Sequence, residues 1–158
     1  MVFILQKYQS ESMNNSNHNG LRQIVIPSSL SLTRDIQAQI ENALKEQEFP
    51  EEDLFGIRLA LEEALVNAIK HGNQLDPDKQ VTISYKVCEK EFFIRIQDEG
   101  PGFDPEDLPD PFAPENLERD CGRGLLLMRH YMSEVEYHPP GNSLTMRKLH
   151  SSAAANKT

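Results

Sequence analysis

Leu61-Glu62-Glu63-Ala64-Leu65-Val66-Asn67-Ala68-Ile69-Lys70-His71-Gly72 carries two patterns at once. Leu61, Leu65 and Ala68 continue a series opened by Leu54 and Ile57 at helical spacing, so the stretch reads as the end of a helix with one apolar face. Glu63, Asn67 and His71 fall at i, i+4 and i+8, one polar stripe roughly opposite Leu61 and Leu65. Gly72 is placed as the C-cap. Upstream, Glu51, Glu52 and Asp53 load the first turn with the charge that the positive end of a helix favours, and Pro50 closes the preceding segment.

Residues 21–26 alternate as a short strand stopped by Pro27, and Ser28, Ser29 and Ser31 offer N-caps for a helix running to about Glu48. After the central helix, Val81, Ile83, Tyr85 and Val87 alternate with Thr82, Ser84 and Lys86, the period of a half-buried strand. Glu89-Lys90 turns the chain into a second strand over residues 92–98, which makes a hairpin. Residues 99–120 are rich in Pro, Gly and Asp and too long for an ordinary connection; loops of this length are commonly functional lids. Residues 122–131 return to helix, and residues 134–138 and 143–149 read as two last strands around Pro139-Pro140-Gly141. Strands with helices on one face predict an α+β, two-layer α/β sandwich.

The 158 residues carry a net charge of −9 and are 38 % hydrophobic, a size at which one domain buries a sufficient core. The chain divides into a flexible arm over residues 1–20, a domain over 21–150 and a flexible tail over 151–158. An acidic balance without a basic run argues against nucleic acid and against an anionic membrane surface. The acidity is local: residues 99–120 hold eight acids against Arg119 alone. No apolar run approaches the roughly 20 residues that span a bilayer, and Cys88 and Cys121 form no metal or disulfide pattern. A cytoplasmic protein is expected.

Three constellations carry candidate chemistry. The stripe of Glu63, Asn67 and His71 is either a solvated helix face or a carboxylate base beside an Mg²⁺ ligand, since Mg²⁺ takes oxygen donors next to substrate phosphates. Asp98-Glu99-Gly100-Pro101-Gly102 ends the hairpin strand. Alternation puts Asp98 on the face of Phe92, Ile94 and Ile96, where a carboxylate needs a partner. The strand either frays there into a glycine-permitted turn, or Asp98 receives a ligand donor such as an adenine amino group while Gly100 and Gly102 let the chain pass close. Cys121-Gly122-Arg123-Gly124 opens a helix, as a plain turn or as amides that favour phosphate.

These three segments, in this order and with a long loop between the second and third, resemble the ATP-binding fold of gyrase, Hsp90 and histidine kinases, the GHKL or Bergerat-fold group. The resemblance covers about residues 21–150 and is closest to the anti-sigma-factor serine/threonine kinases. It implies a mixed, mostly antiparallel sheet, with ATP and Mg²⁺ as cofactors. It also implies residue roles: Glu63 as the catalytic base, Asn67 as the Mg²⁺ ligand and His71 on the phosphate side. Asp98, Gly100 and Gly102 would flank adenine, and Gly122, Arg123 and Gly124 would cap the phosphates. Ser143 would stand where the family has a threonine near adenine, although Asn142-Ser143 departs from the commoner Gly-Thr. The implied activity is phosphorylation of an anti-anti-sigma factor coupled to sequestration of a sigma factor, hence transcription regulation, in a homodimer, with Arg34 as a partner contact. Two other readings are an ATP-binding interaction module without kinase activity, which would not need Glu63, and a detached histidine-kinase-like catalytic domain.

Overall fold

Five strands arise where the period-2 patterns lie. In the computed structural model, which describes residues 20–108, 110, 112–116 and 123–154, they are β1 (Arg22–Pro27), β2 (Gln80–Val87), β3 (Glu91–Gln97), β4 (Glu134–His138) and β5 (Ser143–Leu149). The spatial order is β1-β2-β3-β5-β4. Every neighbouring pair is antiparallel, so the sheet is not mixed as expected. Two tight turns, after β2 and after β4, bring consecutive strands back alongside each other, a connection that only antiparallel neighbours accept.

One face of this sheet is apolar. Ile24 and Ile26 of β1, Ile83 and Tyr85 of β2, Ile94 and Ile96 of β3 and Leu144 and Met146 of β5 are all buried. They pack with α1 (Thr33–Glu46), α2 (Glu51–Val66) and α3 (Arg123–Tyr131) in one core, to which the helices contribute Ile36, Ile40, Ile57, Leu61, Leu65 and Met128. The Tyr85 hydroxyl, carried into this core, accepts a hydrogen bond from Gln39 Nε2 at 2.9 Å, which removes the cost of leaving it unpaired.

The ends of the helices differ from expectation. Ser29 and Ser31 bond each other at 2.7 Å rather than capping α1, which is entered through a 3₁₀ turn over Leu30–Leu32. At its other end α1 stops at Glu46 because the chain closes before Pro50: Phe49 N–H donates to the Leu44 carbonyl at 3.1 Å and Glu48 N–H to that of Lys45 at 3.0 Å. That closure holds exposed Glu48 at φ +58°, a conformation glycine adopts without strain. Glu48→Gly is therefore expected to raise stability by about 0.5–1 kcal/mol, read as a thermal midpoint a few degrees higher.

Gly72 does not cap an α-helix. The last turn of the central helix, Asn67–Gly72, widens into a π-helix, a form concentrated at functional sites. The expected tail from residue 151 instead begins with a short helix, α4 (Ser151–Ala154). It is tied down because buried Asp53 accepts Ser151 N–H at 3.0 Å and the Ser151 hydroxyl. Residues 1–19, most of the expected arm, lie outside the described residues.

Candidate functional site

Glu63, Asn67 and His71 emerge on the side of α2 and its π-turn that faces the exit of β3, the β4–β5 turn and the start of α3. Between these elements lies a cavity of about 300 Å³, lined by all three side chains together with Asp98, Gly102 and Gly124. Its walls are otherwise apolar, with Ala68, Ile96, Phe103, Leu125 and Leu144 among them, the composition of a pocket for a flat ring with a few placed polar groups. The stripe is thus a cavity wall, half-buried at Glu63 and Asn67 and exposed at His71.

Two carboxylates mark the ends of this wall. Asp98 follows the inward alternation of β3 and is only 9 % exposed. Its backbone is clamped by Asn142, whose carbonyl accepts Asp98 N–H at 2.9 Å and whose Nδ2 donates to the Asp98 carbonyl at 3.2 Å. Asp98 Oδ1 accepts Gly100 N–H at 2.7 Å, and Oδ2 makes no hydrogen bond among the described residues. Burial pushes its pKa up, against the Gly100 hydrogen bond and the charge of Lys79. A side chain at Gly72 would overlap the Asp98 carboxylate. Glu63, at the other end, leans on α3: a Cβ at Gly124 would stand 2.5 Å from its Oε2. Gly72 lies nine positions beyond Glu63, roughly 13 Å of helix, so one carboxylate lies near each end of the cavity.

Tyr137 closes a further side. Its phenol is pushed up by burial and is hydrogen-bonded to Asn67, which pulls the other way. Its ring meets Phe103 edge-on at 4.8 Å. Strand alternation in residues 134–138 could have flagged Tyr137, since it shares the inward face with Val135.

Other sequence candidates fall elsewhere. Ser143 does not reach the cavity: it is one residue out of phase with inward Leu144, and its Oγ accepts from Arg95 Nε at 3.0 Å. Asn142 lines the cavity in its place. Gly100 packs against the Gly72 carbonyl rather than lining the space. Arg123 and Arg34 are exposed and outside the lining. Gly122 lies outside the described residues.

Known proteins show the same architecture. The histidine kinase-like ATPase domain matches residues 26–148. The chain belongs to that family. Among its relatives, the serine-protein kinase RsbW of Listeria monocytogenes is 29 % identical over 107 residues, covering 63 % of this chain and 68 % of that protein. The anti-sigma F factor of Clostridium perfringens is 35 % identical over 97 residues, covering 60 % and 69 %. A solved structure of the RsbU and RsbW domains of a Mycobacterium tuberculosis protein superposes with a TM-score of 0.56 at 17 % identity, over 82 % of this chain and 32 % of that longer one. Among the described residues no helix is long and apolar enough to cross a membrane.

The donor set also bears on a metal. No group of three or more His, Cys, Asp or Glu is placed to hold one among the described residues. The Asn67 amide oxygen on the cavity wall is a hard donor of the kind that Mg²⁺ takes while keeping its waters beside substrate phosphates.

Proposed function

We propose that this ATPase-family protein is an ATP-dependent serine/threonine protein kinase that phosphorylates an anti-anti-sigma factor and sequesters a sigma factor. The observation that carries the reading is the pair of carboxylates near the two ends of one apolar cavity, Glu63 on α2 and Asp98 at the exit of β3. Asp98 Oδ2 receives the adenine amino group, and Gly102 and Phe103 flank the base. Asn67 would hold Mg²⁺ on the phosphates, where the ion neutralises charge on their oxygens. His71 borders the same wall, and the start of α3 at Gly124 presents backbone amides to anionic oxygen.

In the transfer step the partner hydroxyl oxygen attacks the γ-phosphorus and the bond to the bridging oxygen breaks. ADP leaves, and the hydroxyl proton passes to the Glu63 carboxylate. Positioning and charge stabilisation supply most of the rate in such transfers. As the family resemblance implies, the kinase acts as a cytoplasmic homodimer, with Arg34 offered as a partner contact.

Isothermal titration with ATP and Mg²⁺ tests the nucleotide reading. The wild type is expected to bind only with Mg²⁺ present, and Asn67→Ala to lose that binding. Unchanged affinity in the variant would remove Asn67 as the metal ligand.

A further inference from the structure

Asn73 follows the glycine on which the Asp98 carboxylate rests and is fully buried. Four segments meet on it. Its Nδ2 donates to Ser28 Oγ at 2.8 Å and to the Gln80 carbonyl at 2.9 Å, at the end of β1 and the start of β2. Its Oδ1 accepts Glu99 N–H at 2.7 Å, and its own N–H donates to the Ala68 carbonyl at 2.9 Å across the π-turn. The Glu99 carboxylate returns to the Gln80 amide at 2.7 Å, so the loop after β3 is fastened by main chain and side chain together.

The next two residues show that Asn73 is held at a cost. Gln74 and Leu75 both have positive φ, +54° and +58°, a backbone that non-glycine residues keep only when the surroundings over-determine it. That kink folds the chain back after the π-turn, with Leu75 N–H on the Ile69 carbonyl at 3.0 Å. The amide plane between Asp98 and Glu99 is thereby fixed by Asn73 on one side and by Asn142 on the other. The Asp98 side chain leaves the backbone from that plane.

We propose that Asn73 is a positioning residue for nucleobase selection. By holding the Glu99 amide it aims the Asp98 carboxylate, so that a 6-aminopurine donates to it and a 6-oxopurine is rejected. This rests on the nucleotide reading above. A buried asparagine that merely satisfied the core would act on stability alone. Ser28 provides that contrast, because it shares the network but does not touch Glu99.

The test is the ratio of affinities for ATP and inosine triphosphate, with Mg²⁺, in the full chain and three variants. Ser28→Ala and Asn73→Ala are both expected to melt lower than the wild type. Ser28→Ala keeps the preference for ATP, whereas Asn73→Ala lowers it roughly tenfold, the scale of one hydrogen bond to a charged group. Asn73→Asp retains an acceptor for Glu99 N–H but loses both donors to Ser28 and Gln80, so it melts lower and still keeps the preference, the contrast with Asn73→Ala that supports the proposal. A wild-type ratio in folded Asn73→Ala, an equal loss in Ser28→Ala, or a lost preference in Asn73→Asp would each overturn the positioning role. A wild type that binds no ATP would overturn the nucleotide reading itself, and this inference with it.

Discussion

Glu63→Ala is expected to cut phosphoryl transfer by about 10²–10⁴-fold, the usual contribution of a positioned general base, while ATP binding persists. The carboxylate is half-buried in the cavity wall, and α3 approaches it so closely that a Cβ at 124 would displace its Oε2. An acid held in this way has a defined place relative to an incoming hydroxyl. Glu62, the neighbouring acid, is exposed and does not line the cavity, so Glu62→Ala should leave the rate unchanged. Glu63→Gln separates base from shape: it keeps the volume beside Gly124 but cannot take the proton, and it should fall with Glu63→Ala. Single-turnover transfer from labelled ATP to the partner measures each rate. Transfer at the wild-type rate in Glu63→Ala would end the base assignment and return the chain to the class of nucleotide-binding modules.

What was legible in the sequence were periodicities, because a period is a local property that burial turns directly into a face. The alternation of Phe92, Ile94 and Ile96 placed Asp98 on the inner face, and its burial agrees. The i, i+4, i+8 stripe placed Glu63, Asn67 and His71 together, and one cavity takes all three. The resemblance was less secure where a strand starts from a turn: it put Ser143 near the ligand, one residue beyond Asn142, which lines the cavity. Least legible were bonds between distant segments. Asn73 reads as an ordinary turn residue after His71-Gly72, and nothing local announces that Glu99 and Ser28 meet on it.

The charge concentrated in residues 99–120 is a similar case. A loop so acidic would repel a triphosphate if its carboxylates faced inward. Glu99, Asp104, Glu106, Asp107, Asp110 and Glu115 are instead all exposed, and none lines the cavity. Among the described residues of this segment, Pro101, Gly102, Phe103 and Leu108 line it. Asp104 spends an oxygen on capping its own short turn, accepting Glu106 N–H at 2.9 Å. Among the described residues of the loop, the apolar ones thus line the cavity while the charged ones stay in water, an arrangement that composition alone does not distinguish from its reverse.

Asp98→Asn is expected to weaken ATP binding by roughly 10–100-fold, the scale of a lost hydrogen bond to a charged acceptor, and to stabilise the protein without nucleotide. Both follow from the same burial. Gly100 N–H claims Oδ1, so an amide in this place keeps its oxygen there and turns its NH₂ toward the adenine amino group, donor against donor. On the stability side, burial raises the Asp98 pKa. A carboxyl whose folded pKa is raised favours the native state most below its unfolded value, and that contribution is lost as the pH climbs through the folded one. At neutral pH the ionised Asp98 is therefore a strain on the fold that a neutral amide relieves. Thermal melts across pH should show wild type and variant converging in acid and the variant melting higher near neutrality. Titration should show wild-type ATP affinity falling as acid protonates the carboxylate, with no such slope in the variant. A variant that binds ATP as tightly as the wild type would show that the base is read elsewhere in the cavity, with Asn142 the next group to test.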